Sequence, residues 1–177
     1  MALLRILTFP DPRLREKALE VKVFDEALKQ LAADMVETMY AAPGVGLAAT
    51  QVGVVLRMVV VDEHAGREGS TGPEVYVNPQ LIDGSGEIVC EEGCLSLPDF
   101  SEDVKRKDKI HVRYQDLDGK VQEITLEGFH AVILQHEMDH LEGVLAVDRV
   151  SRLKRALYSK RRSRASRNSK EDDVANP

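Results

Sequence analysis

Apolar and polar positions follow two different periods along this chain. In "DEALKQLAADMVETMYAA", residues 25 to 42, Leu28, Leu31, Met35 and Met39 recur at the step of one helical face. Asp25 stands where an N-cap belongs, and Pro43 with Gly44 closes the segment. The small-residue stretch "GVGLAATQVGV" that follows reads as a loop, and "RMVVVDE" (57 to 63) as a buried strand. Residues 64 to 74 are loop by composition. Further short strands are expected at 75 to 78, 86 to 91, 110 to 116 and 121 to 127, with "DLDGK" as a hairpin turn between the last two. From Gly128 the period becomes helical again, through Phe129, Val132, Ile133 and Leu134, until Gly143. A last amphipathic stretch runs from Val150 to about Arg164. With no repeat and no internal linker before residue 150, the pattern predicts an α+β fold. It is a single domain of antiparallel strands around a central helix, plus a C-terminal helix.

Composition narrows the class. The 177 residues are 43% hydrophobic and 31% charged, as in an ordinary globular chain with a sizeable core. No run approaches the ~18 to 20 apolar residues of a membrane helix. Arg5, Pro10, Asp11 and Pro12 interrupt the place where a secretory signal needs an apolar core, so a cytoplasmic location and no membrane partner are expected. Charge is unevenly spread. Residues 152 to 170 hold nine Lys or Arg and no acid, which leaves residues 1 to 151 at about −12. A basic tail on an acidic body suits a polyanion such as a phosphate backbone, without implying specific DNA recognition; the plainer alternative is a solvated, partly disordered C-terminus. The division expected is a domain over 1–150 and a basic helix or tail over 151–177.

Candidate chemistry concentrates in "LQHEMDHLEGV". His136 and His140, four apart on a helix, face one way, and Glu137 beside them can reach a water on a shared ion. A catalytic metal needs a third protein ligand. Downstream the chain offers none: Ala146 stands where an extended zinc-peptidase pattern has a histidine, and only Glu142 and Glu171 follow. Upstream stand His64, His111, His130, Cys90 and Cys94. His130 points to another side of the helix, and His64 and His111 read as solvated. If the segment between the cysteines is extended they lie roughly 13 Å apart, beyond the reach of a disulfide. "CEEGCLSLPD" allows close approach at Gly93 just before Cys94, whereas Cys90 reads more simply as core. Spacing alone leaves the two cysteines open.

Three segments decide further: "GVGLAATQ" (44 to 51), "EGCLS" (92 to 96) and "QHEMDH" (135 to 140). In this order and spacing they resemble the three motifs of the peptide deformylases, which remove the N-formyl group from nascent bacterial and organellar proteins. The likeness runs from "ILTFPDPRL" to about Arg149. It implies metal ligands Cys94, His136 and His140, with Glu137 as general acid and base. Gln51 through its side-chain amide and Leu95 through its backbone N–H are implied as oxyanion donors, and Gly46 as a backbone contact to substrate. Phe129, Val132 and Ile133, within two turns of the ligands, are candidates for a methionine pocket. The resemblance implies one Fe2+ per chain, with Ni2+, Co2+ or Zn2+ as other occupants, and sensitivity to oxygen. The reaction expected is attack by metal-bound hydroxide on the formyl carbon of formylmethionyl chains, releasing formate. Many relatives carry a substrate-binding arginine about seven residues after the ligand cysteine; here that position is Ser101. The family's ribosome docking through a C-terminal helix makes the ribosome an expected partner of the basic segment. Two rivals differ in kind: a metallopeptidase with broader substrates, and a structural metal module requiring a fourth ligand.

Overall fold

The computed structural model describes residues 2–65 and 67–174, of which 166–174 are described as backbone alone. Among the described residues, α1 (Glu26–Ala41) leads into β1 (Gly46–Ala48) and β2 (Met58–Val61). Then come β3 (Glu74–Ser85), β4 (Ile88–Cys94), β5 (Leu97–Arg106), β6 (Lys109–Gln115) and β7 (Val121–Glu127). Two further helices close the chain, α2 (Gly128–Leu141) and α3 (Arg152–Val174). One antiparallel sheet has the order β1-β2-β3-β6-β7, and β4 with β5 forms a separate antiparallel pair. The architecture is the α+β class expected.

The strongest periodic segments fold locally as they read. Asp25 caps α1, its carboxylate accepting from Leu28 N–H at 3.0 Å. Every residue of β2 is fully buried because the strand is covered on both sides. Val59 and Val61 pack with α2, while Met58 and Val60 pack toward α1 with Leu28, Met35 and Met39. That double burial explains the unbroken apolar run, at ~1.5 to 3 kcal/mol for each large side chain removed from water. Helix α2 lies in the core, with Ala131, Leu134 and Leu141 at 0% exposure.

Three differences from the sequence reading matter for the site. The stretch expected as a loop over 44 to 54 contains β1, paired to β2 in the register Gly46 with Val61, and a 3-10 turn over Ala49–Val52. Leu47 fills the core from β1, while at Gly46 a Cβ would meet the Glu137 side chain. Strand β3 extends to Ser85, beyond the expected 78, and β5 is wholly additional. Its sequence, "LPDFSEDVKR", is polar and begins beside Pro98; its partner is β4, and its inward Arg106 is buried by acids from elsewhere in the chain. Helix α3 runs past Arg164 to Val174. It docks through buried Tyr158, whose hydroxyl donates to Pro98 O at 3.0 Å and whose ring meets Phe9 and Phe100. Residues 175–177, where part of the expected disorder falls, lie outside the described residues.

Candidate metal centre and its cleft

Two segments supply three donors at the middle of α2. His136 and His140 stack one turn apart with ring centroids 5.0 Å from each other. Cys94 ends β4, and its sulfur lies 3.3 Å from His140 Nε2. One donor atom from each of these three residues lies within 4.8 Å of the others, and no other such group of His, Cys, Asp or Glu occurs among the described residues. Cys90 stays outside, opposite Val104 in the β4–β5 ladder, and both thiols are free. His64 sits in the loop after β2, and His111 contacts Thr125 and Glu123 on the sheet surface. His130 meets Glu63 and Glu74.

A chain of buried charges fixes His136. Its Nδ1 lies 2.8 Å from Glu92, which aims Nε2 toward the shared centre. Glu92 takes a two-point contact from Arg106, at 2.7 and 2.9 Å. Arg106 also reaches Asp139 at 2.5 Å, and Arg149 closes on Asp139 from outside at 2.5 and 3.0 Å. Burial opposes the Glu92 charge, but Arg106 and His136 outweigh it and hold the carboxyl down at about 2. Burial likewise opposes a charged His136, yet the Cys94 sulfur and Glu92 hold its pKa well above the ordinary value. His140, buried and facing positive neighbours, is held well below.

Glu137 has a different environment. The residue is 4% exposed, its Oε2 has no hydrogen-bond partner, and burial pushes its pKa up to about 7. Facing it is Gly46, where a Cβ would stand 2.5 Å from Glu137 Oε1, so a side chain there would push the carboxylate aside. Gln51 is oriented by its own neighbours. Ala48 N–H donates to Oε1 at 2.8 Å, leaving the amide NH2 to donate to Ser96 Oγ at 3.1 Å, 3.7 Å from the Cys94 sulfur. Leu95 stands in the two-residue turn beyond Cys94, whose ladder partner is Leu97, so its N–H is not used by the sheet. Gly46, Gln51, Cys94, Leu95, His136 and Glu137 border one cleft of about 360 Å³, walled also by Gly44, Val45, Glu91 to Gly93, and Phe129, Val132 and Ile133.

The donor set fits a transition-metal ion. A sulfur and two imidazoles converge, a donor set that would hold such an ion while leaving it open to solvent or substrate, and the buried Glu137 Oε2 has no hydrogen-bond partner. The model of the polypeptide deformylase family matches residues 3–156. This chain belongs to that family.

The deformylase relatives cover nearly all of it. The chain is 51% identical over 165 residues to a peptide deformylase of Zymomonas mobilis, covering 91% of this chain and 93% of that one. It is 52% identical over 155 residues to one of Alkalilimnicola ehrlichii, covering 88% and 86%. Among solved structures, the peptide deformylase of Legionella pneumophila superposes with a TM-score of 0.86 at 45% identity, covering 95% of this chain and 98% of that one. That of Ehrlichia chaffeensis in complex with actinonin gives 0.86 at 38% identity, covering 94% and 99%. This deformylase is therefore an enzyme of the family that acts on the N-formyl group of nascent peptides. Reading the sequence missed Glu92, Ser96 and Arg106 as parts of the site. Glu92 and Ser96 lie inside the "EGCLS" motif, which carried that much signal; Arg106 has no local mark. Asp139 pairs with Arg106 and Arg149. No described helix is long and apolar enough to cross a membrane.

Proposed function

We propose that this deformylase removes the formyl group from the N-terminal methionine of newly made chains, releasing formate. The observation that carries the reading is the Cys94, His136 and His140 trio with the unpartnered Glu137 carboxylate, where Cys94, His136 and Glu137 line one cleft. Those three residues would hold one divalent ion per chain. Such an ion acts as a Lewis acid and lowers the pKa of a water toward ~7. Glu137 takes the proton of the attacking water and later gives it to the departing amine. The Gln51 NH2 and the Leu95 N–H donate to the oxyanion forming on the formyl oxygen, each such donor supplying roughly 3 to 4 kcal/mol. Gly46 exposes its backbone to the substrate chain, and Phe129, Val132 and Ile133 receive the methionine side chain.

The ion proposed is Fe2+, with Ni2+, Co2+ or Zn2+ able to take its place. Anaerobic purification, elemental analysis and a formate-release assay test this together. Formyl-Met peptides should turn over and acetyl-Met peptides should not; comparable rates on both would favour a broader peptidase. Cys94→Ala should lose the ion while Cys90→Ala keeps it, and the reverse would reassign the ligand.

For the 1–150 and 151–177 division, α3 is proposed to contact ribosomal RNA while the body works in the cytoplasm. Because Tyr158 is buried, replacing Lys160, Arg161 and Arg164 by Glu is a cleaner test than deletion. Salt-sensitive ribosome binding should fall while formate release from short peptides persists; unchanged binding would remove α3 from that role.

A further inference from the structure

The wall formed by Phe129, Val132 and Ile133 belongs to the first turns of α2, and this end of the helix has weak local support. Its N-cap, Glu127, makes no side-chain capping bond, and there is no acid in the first turn. Gly128 enters with φ +61 and is tied by one backbone bond, its N–H donating to Asp108 O at 2.8 Å. Phe129 is 46% exposed at the mouth of the cleft. The residues that follow, Ala131 to Leu134, are buried.

His130 is the side chain of this turn that reaches the sheet. It leaves α2 on a flank of the cleft-facing side and enters a small cavity of about 90 Å³ with Asp62, Glu63, His64 and Glu74. Its Nε2 lies 3.2 Å from Glu74 on β3, and its Nδ1 3.5 Å from Glu63 in the loop after β2. With the ring protonated both contacts are ion pairs, Glu74 being the closer partner. Glu74 first, then Glu63 and Asp62, raise the His130 pKa against the effect of burial. The loop is itself fastened to the opposite wall: Asp62 N–H donates to Val45 O at 2.9 Å, one residue from Gly46. Neither His64 nor His130 is near enough to the trio to serve as a ligand.

We propose that His130 is a positioning residue for this deformylase: held between Glu63 and Glu74, it fixes the first turn of α2 against the sheet and so sets the spacing between the Phe129 wall and the Val45–Gly46 wall of the cleft. The inference rests on the reading of Phe129, Val132 and Ile133 as the methionine wall. It predicts a change in how tightly substrate is held, with the chemistry at Glu137 left intact. A positively charged ring holds best, so the support is complete below the ordinary histidine pKa of about 6.5 and is lost as pH rises through the higher value in the folded chain.

The test uses the metal-loaded enzyme with formyl-Met and formyl-Ala tripeptides, in the wild type, His130→Gln, His130→Lys and Phe129→Ala. His130→Gln should raise KM for the formyl-Met peptide about three- to tenfold with kcat within about twofold. Its amide hydrogens at 129 to 132 should exchange faster, and His130→Lys should restore both. The wild-type KM should also rise above neutral pH, a trend that His130→Gln abolishes. Unchanged KM in His130→Gln, or a fall confined to kcat, overturns the proposal. Phe129→Ala separates the two readings. If it leaves the preference for formyl-Met over formyl-Ala intact, the methionine wall is misassigned; if it erodes that preference while His130→Gln does nothing, only the role of His130 fails.

Discussion

Glu137→Gln should stabilise the metal-free enzyme, and by an amount that depends on pH. Burial raises the Glu137 pKa from 4.5 to about 7, so the carboxyl is easier to ionise in the unfolded chain than in the folded one. A carboxyl with a raised folded pKa is harmless below its unfolded value; stability is lost progressively as pH rises from the unfolded to the folded value, and the cost is constant above that. At 1.36 kcal/mol per pKa unit, the fully developed cost is ~3 kcal/mol above pH 8. Glutamine keeps the shape without the charge. Urea unfolding of chelator-treated wild type and Glu137→Gln should therefore show a difference that grows by ~2 to 3 kcal/mol between pH 5 and pH 9, in favour of the variant. Loading a divalent ion should shrink the gap, since a neighbouring cation offsets the burial of the anion. A difference independent of pH, or a wild type that gains on the variant as pH rises, would refute the reasoning.

Three other outcomes follow from the same geometry. Gly46→Ala should lower kcat on the order of 100-fold with metal content unchanged, because the new methyl displaces the Glu137 carboxylate; elemental analysis beside formate release checks both halves. Glu92→Gln should weaken metal affinity roughly 10- to 100-fold by loosening the His136 ring, read by competition with a chelator. Arg106→Met strands Glu92 and Asp139 without their shared cation and should cost about 3 to 5 kcal/mol in urea unfolding, with little change if the acids find other partners.

What the sequence reveals here depends on how local the cause is. Helix α1 carries its own cap and stop, β2 carries its double burial as an unbroken apolar run, and His136 with His140 needs only helical spacing to face one way. Strand β5 has no such mark. Its inward Arg106 looks like a surface residue until Glu92, fourteen positions earlier, and Asp139, thirty-three later, are folded around it. The choice of Cys94 over Cys90 is of the same kind: both sit on β4, and only the position of α2 brings one sulfur to the rings. Gly46 reads as loop flexibility in the sequence, yet its reason is a carboxylate on another element.

The β4–β5 ribbon hydrogen-bonds to no strand of the larger sheet, although the thiol comes from it and both imidazoles come from the helix behind that sheet. An ion gripped by all three is a rivet across a seam. Pulling it should leave most of the molecule closed while the ribbon peels first, so that a protease offered the stripped enzyme would cut between residues 88 and 106 before it touched β2 or β3.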